Sequence, residues 1–166
     1  MEVTLNAALQ SLATGPLFPF ASWDRSLVPQ SPGVYSVWRS DCLIYIGMAG
    51  RSQEQKAGLR GRLTQHDNGR RSGDQFCMYV CDRLVLPELT REQVLSIAAG
   101  THSLDHLTKA FIHREVAFRF VVCTDPDSAR ALEKEARMAG VPGAGVPVLN
   151  PHPGRPPQND RAPGRE

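Results

Sequence analysis

The stretch from Pro32 to Gly50, PGVYSVWRSDCLIYIGMAG, limits the fold more than any other. Two runs rich in Val, Tyr, Trp and Ile flank the polar Arg39-Ser40-Asp41, the pattern of two short strands joined by a tight turn. Side chains alternate along a strand, so the loop length decides whether Tyr35 and Tyr45 share a face. A three-residue loop, Arg39 to Asp41, sets Tyr35 opposite Tyr45 and Gly33 opposite Gly47. A two-residue loop, Ser40-Asp41, sends the phenols to opposite faces. The first register is expected, because it puts the phenols side by side with a glycine flanking each. Missing side chains there admit another backbone or a substrate. Taken alone, the hairpin is equally compatible with two tyrosines that only fill a core.

Downstream, Gly58 to His66 reads as a helix, with Leu59 and Leu63 one turn apart on an apolar stripe. Arg62 and His66 are also four apart and share a different face. Gly58 and Gly61 each cost such a helix about 1 kcal/mol against alanine, a cost consistent with close approach to the sheet or to a substrate strand. Gly69 is the expected C-terminal cap. A later helix carries Arg130 and Glu133, and Val148-Leu149-Asn150 ends the ordered-looking part. This succession of GVY, YIG, a helical Arg with His four later, a helical Glu and a terminal Asn resembles the GIY-YIG nuclease family. The resemblance runs from Gly33 to Asn150. Val34 stands where the name motif has Ile, and the stretch between His66 and Glu133 is long. The layout is nearest to the family's restriction-type endonucleases.

The resemblance implies an α/β chain of the α+β kind: a small antiparallel sheet holding the hairpin, flanked by helices, in a single domain. It also implies a metal-dependent DNA endonuclease. Glu133 would anchor Mg²⁺ or Mn²⁺, which completes its shell with water and phosphate oxygens. Arg62 would clamp the scissile phosphate through its planar fork. His66 would donate to the phosphate or orient a tyrosine. Tyr45 would be the general base, with Tyr35 orienting the water or sharing the role. A phenol near pKa 10 needs a nearby cation or metal-bound water for that task. Asn150 would tie the chain end to the site, or simply form a turn before Pro151. Glu133 is equally able to pair with Arg130 or Arg137 on its own helix.

The 166 residues suffice for one domain with a real core. Net charge is only +2, so a nucleic-acid partner must be met locally. Between Arg51 and Arg71 six basic residues face two acidic ones, and Arg51, Lys56, Arg60, Arg70 and Arg71 are the candidate DNA contacts around Arg62. Cys42, Cys77, Cys81 and Cys123 are scattered, which suggests free thiols, no zinc site, and a reducing, cytoplasmic setting. The N-terminus lacks the basic start and long apolar core of a signal peptide.

Residues 1–31 are expected to form a short helix, with Leu5, Leu9 and Leu12 on one side, then a wrapping segment anchored by Phe18, Phe20 and Trp23. Residues 32–150 form the nuclease-like domain. Within it 75–114 is an insertion: a strand over 75–86 and helices over 90–99 and 103–114. A strand over 115–123 and a helix over 127–140 follow. The insertion could bind duplex DNA, pair two copies as a homodimer, or only elaborate the fold. The Pro/Gly/Arg-rich tail, 151–166, is expected to be disordered. With no long C-terminal recognition domain, a multidomain excision or homing enzyme is not expected. Two functions of other classes remain open: a nucleic-acid-binding module without activity, and a protein that binds a partner through the inserted helices.

Overall fold

The computed structural model describes residues 4–50 and 57–151. A four-stranded antiparallel sheet forms its middle, with strand order β1-β4-β2-β3. The strands are β1 (Phe18–Pro19), β2 (Gly33–Arg39), β3 (Cys42–Ala49) and β4 (Val116–Val122). Six α-helices accompany them among the described residues: α1 (Leu5–Thr14), α2 (Gly58–Asp67), α3 (Gln75–Val80), α4 (Arg91–Ala98), α5 (Leu104–Glu115) and α6 (Pro126–Met138). The architecture is α+β, as expected. None of the helices is long and apolar enough to cross a membrane.

Each face of the sheet has its own core. On one, Tyr35, Val37, Ile44 and Tyr45 pack against Leu59 and Leu63 of α2, Phe76, Cys77 and Val80 of α3, and Phe111 and Ile112 of α5. On the other, Val34, Trp38, Leu43, Ile46 and Met48 meet Ala8 and Leu12 of α1 and Ala129, Leu132 and Ala136 of α6. The expected apolar side of α1 is buried only towards its end, since Leu12 is inside and Leu5 is exposed. Phe18, Phe20 and Trp23 all pack around Phe118, so Trp23 serves the core.

Helix ends follow the sequence closely. Asp125 caps α6 by accepting from the backbone N–H groups of Asp127 and Ser128, with Pro126 in the first turn. Thr90 and Gln93 form a reciprocal cap on α4. Gly69, with φ of 67°, follows the end of α2.

Two expectations are corrected. Residues 75–86 are helical, not a strand: α3 runs into a wide π-turn over Cys81–Val85 and a 3₁₀ turn over Leu86–Glu88. Asp74 caps α3 by accepting from the Cys77 N–H, and Phe76, Cys77 and Val80, one helical turn's worth of apolar positions, are buried together. The second correction is the hairpin register. Tyr35 lies opposite Gly47, Val37 opposite Tyr45, and Gly33 opposite Ala49. The loop is the two-residue Ser40-Asp41, with Arg39 paired to Cys42.

Candidate active site

A two-residue loop ought to separate the tyrosines, yet both belong to the same core and their ring centroids are 6.4 Å apart. A β-bulge reconciles these facts. The pairing shifts between Val37 and Trp38, leaving Ile44 as an extra residue between Leu43 and Tyr45. One extra residue reverses every later side chain on β3, so Tyr45 returns to the face of Tyr35. The phenols are diagonal neighbours, and Gly47 sits directly across from Tyr35. A Cβ on Gly47 would collide with the Tyr35 hydroxyl and lie 2.9 Å from the Tyr45 ring. The glycine thus makes room for a phenol. At Gly33 a side chain would meet the Val121 carbonyl and Leu59, so this glycine lets β4 and α2 close on β2.

His66 is fully buried on the same side of α2 as Leu59 and Leu63, not on a separate face. Direct contact with a phosphate is therefore not open to it. It orients a tyrosine instead: its Nε2 is 2.7 Å from the Tyr35 hydroxyl, and its Nδ1 is 2.6 Å from Oδ2 of Asp74. Phe76 packs on the ring, at 4.7 Å between centroids. Burial lowers the His66 pKa from its ordinary value despite the carboxylate beside it, so the ring is neutral at pH 7. Burial also raises Asp74, but the bonds from His66 and the Cys77 N–H outweigh it and hold the carboxyl below its usual range. Tyr35 is pushed well above an ordinary phenol by burial and by the neighbouring Tyr45. The donor atoms of His66, Asp74 and Cys77 lie within 4.8 Å of one another. They are spent on each other, the Cys77 thiol reaching the His66 carbonyl at 3.5 Å, and burial pushes that thiol up into its protonated form.

Arg62 is half-buried on α2. Its guanidinium donates to Gln65 at 3.1 Å and acts electrostatically on Tyr35, Tyr45 and Asp74. It also lines a cleft of ≈ 540 Å³ whose walls include Gly50, Gly58, Gly61, Gln65 and Gln75. The glycines serve packing: a Cβ on Gly50 would meet Pro32, on Gly58 the Gln30–Ser31 backbone, and on Gly61 the Ala57 side chain. Tyr45 is 6 % exposed. Burial raises its pKa, and the nearby Arg62 and Arg137 cations do not fully offset this. The lowering expected of a base is thus not met by the protein alone.

Glu133 is on the other face of the sheet from α2, where its helix packs against Leu43, Ile46 and Met48 of β3. It lies on α6 beside the sheet-facing Leu132, its side chain is 17 % exposed, and Arg137 donates to its Oε1 at 3.0 Å. Glu133 and Arg137 both act electrostatically on Tyr45; of the four expected residues Tyr35, Tyr45, Arg62 and Glu133, Arg62 is the one that lines the cleft. Glu133 is a hard oxygen donor with one oxygen engaged by arginine, a setting that suits Mg²⁺ or Mn²⁺ sharing a carboxylate with water and phosphate. Arg130 pairs with Asp127 instead. Asn150 is buried against the outer edge of β3, accepting from the Ile46 N–H at 2.7 Å and donating to its carbonyl at 2.9 Å. With Val148 and Leu149 bonded to the carbonyls of Leu43 and Ile44, it covers an edge that would otherwise be open.

The basic patch is thinner than its sequence suggests. Arg60 donates to the Val28 carbonyl at 2.7 Å, and Arg71 is paired with Asp105 at 2.9 Å. Arg70 is exposed. Arg51, Lys56 and the residues from 152 onward lie outside the described residues. The stretch read as an insertion supplies much of one core and carries no exposed basic cluster on its helices α3 and α4. Asp74 escaped the sequence reading. Its signal was a capping residue one position before an apolar run, hidden because that run was read as a strand. Compared with models of protein families, with curated proteins and with solved structures, the chain matches none.

Proposed function

We propose that this protein is a metal-dependent DNA endonuclease. The observation that carries this reading is Arg62. It is half-buried, lines an open cleft and acts electrostatically on both phenols, and a planar cation in that position suits an anionic ligand. A sugar–phosphate backbone suits such a cleft, because it is open and the guanidinium can grip two phosphate oxygens.

The hydrolysis assigns one task to each group. Arg62 holds the scissile phosphate and stabilises the charge that grows on its equatorial oxygens. Tyr45, deprotonated, takes a proton from the attacking water as the water oxygen bonds to phosphorus and the bond to the leaving oxygen breaks. Tyr35, buried and held by His66, keeps its proton and orients. Glu133 would hold the divalent ion, which supplies Lewis-acid stabilisation of the phosphate and leaving oxygen. Arg137 keeps that carboxylate in place. The raised pKa of Tyr45 means the active fraction grows with pH. Buried free thiols at Cys77 and Cys81 suit a reducing, cytoplasmic compartment.

The test is cleavage of supercoiled plasmid and of branched duplex DNA, each with Mg²⁺, with Mn²⁺ and with EDTA. Nicking or linearisation that needs the metal and disappears in Glu133→Ala is expected. DNA binding without cleavage in either metal overturns the nuclease reading in favour of a binding module.

A further inference from the structure

We infer that Asp74 is a positioning residue: it locks the His66 tautomer, and through His66 it fixes which way the Tyr35 hydroxyl points. This role rests on the nuclease reading for its consequence in turnover, but its geometry stands on its own. Asp74 divides its carboxylate between two tasks. Oδ1 accepts the Cys77 N–H at 3.2 Å and starts α3, while Oδ2 faces Nδ1 of His66 at 2.6 Å. An ionised carboxylate only accepts, so Nδ1 must carry the ring hydrogen. A neutral ring then has a bare Nε2, and the Tyr35 hydroxyl, 2.7 Å away, must donate to it.

The opposite tautomer fails at both ends. A lone pair on Nδ1 would face a carboxylate at 2.6 Å, two acceptors with no hydrogen between them. A hydrogen on Nε2 would force the Tyr35 hydroxyl to accept there, turning its own hydrogen towards its other neighbours. One of these, Arg62, acts electrostatically on Tyr35 and offers donors only, so a hydroxyl hydrogen turned towards it finds no acceptor there. With the first tautomer every group is matched. Asp74 accepts, His66 donates and accepts, and Tyr35 donates inward to Nε2. Asp74, His66 and Tyr35 are all buried, so each group's hydrogen bond depends on the orientation of the next.

Asp74→Asn separates this role from packing. The amide oxygen can keep the cap on α3, which leaves the NH₂ group facing Nδ1. A donor there drives the ring hydrogen to Nε2 and sets it against the Tyr35 hydroxyl. Two measurements on the full chain decide the matter. The first is ¹⁵N NMR of the His66 ring, expected to show hydrogen on Nδ1 in the wild type and on Nε2 in Asp74→Asn. The second is plasmid cleavage kinetics, expected to show kcat down about 10–100-fold with KM within about twofold. A wild-type ring protonated on Nε2 overturns the inference. So does Asp74→Asn with a lowered Tm but wild-type kcat, the mark of a merely structural group. Failure of the wild-type protein to cleave DNA counts against the nuclease reading alone, since the ring spectrum reads the positioning directly.

Discussion

The face of the sheet covered by α1 and α6 buries a polar group at Ser36; the face covered by α2 and α3 buries the chain Tyr35–His66–Asp74. Both are satisfied. Trp38 donates its indole N–H to the Ser36 hydroxyl at 2.8 Å, and Ser36 donates to the Leu12 carbonyl at 2.7 Å. That circuit begins and ends inside, contains nothing that titrates near neutral pH, and staples β2 to α1. The second circuit is built of ionisable groups and feels the charge of Arg62, which lines the cleft. Hydrogen-bond satisfaction alone does not separate a structural polar core from a functional one. Ionisable members beside a cleft-lining cation are what make the second circuit the candidate.

The largest effect that distinguishes the faces is expected at Tyr45. Tyr45→Phe keeps the ring that packs on Phe76 at 5.2 Å and removes only the hydroxyl. Its cleavage rate should fall about 10²–10⁴-fold with stability close to wild type. The wild-type rate should climb towards alkaline pH, in line with the raised Tyr45 pKa. Steady-state cleavage across pH checks both; a fully active Phe variant would reduce Tyr45 to a core residue. Next comes Arg62→Lys, which keeps the charge and loses the fork. A fall of about 10²–10³ in kcat is expected, with DNA affinity, followed by fluorescence anisotropy, only modestly weakened.

The other face should respond in the opposite currency. Ser36→Ala strands the Trp38 N–H and is expected to cost about 1–3 kcal/mol of stability in urea denaturation. The kcat of the folded fraction should not change. A large drop in kcat there would erase the distinction between the two circuits.

The smallest effect is the pH dependence of stability. The His66 pKa is lowered by burial, so below about pH 6.5 the unfolded chain binds a proton that the native ring refuses. Stability from this group is therefore fully present above that pH and declines as pH falls through it, at no more than about 1.4 kcal/mol per unit. Denaturation at pH 7.5 and 5.5 should show the wild type losing more than His66→Gln. Equal losses in the two proteins would mean the buried ring gains a proton as readily as the unfolded one.

Much of this molecule was legible in the chain itself. The hairpin, α2 with its glycine stop, α6 with its Asp-Pro start, and β4 all follow from local periodicity and capping chemistry, which act over a few residues. Tyr45, Arg62 and Glu133 could be named as candidates from residue type and order. Other features were decided only by tertiary packing. The bulge at Ile44 adds one residue to β3, and alternation alone cannot distinguish it from a longer loop. What secures it is a distant segment, since Leu149 bonds to the Ile44 carbonyl at 2.8 Å. Residues 75–86 are apolar enough for a strand or a helix. Burial of Phe76, Cys77 and Val80 around His66 and Tyr45 selects the helix. Asp74 had no visible partner in the sequence, because its bond to His66 joins the start of one helix to the end of another across a turn, and the meaning of a buried carboxylate lies in what it touches.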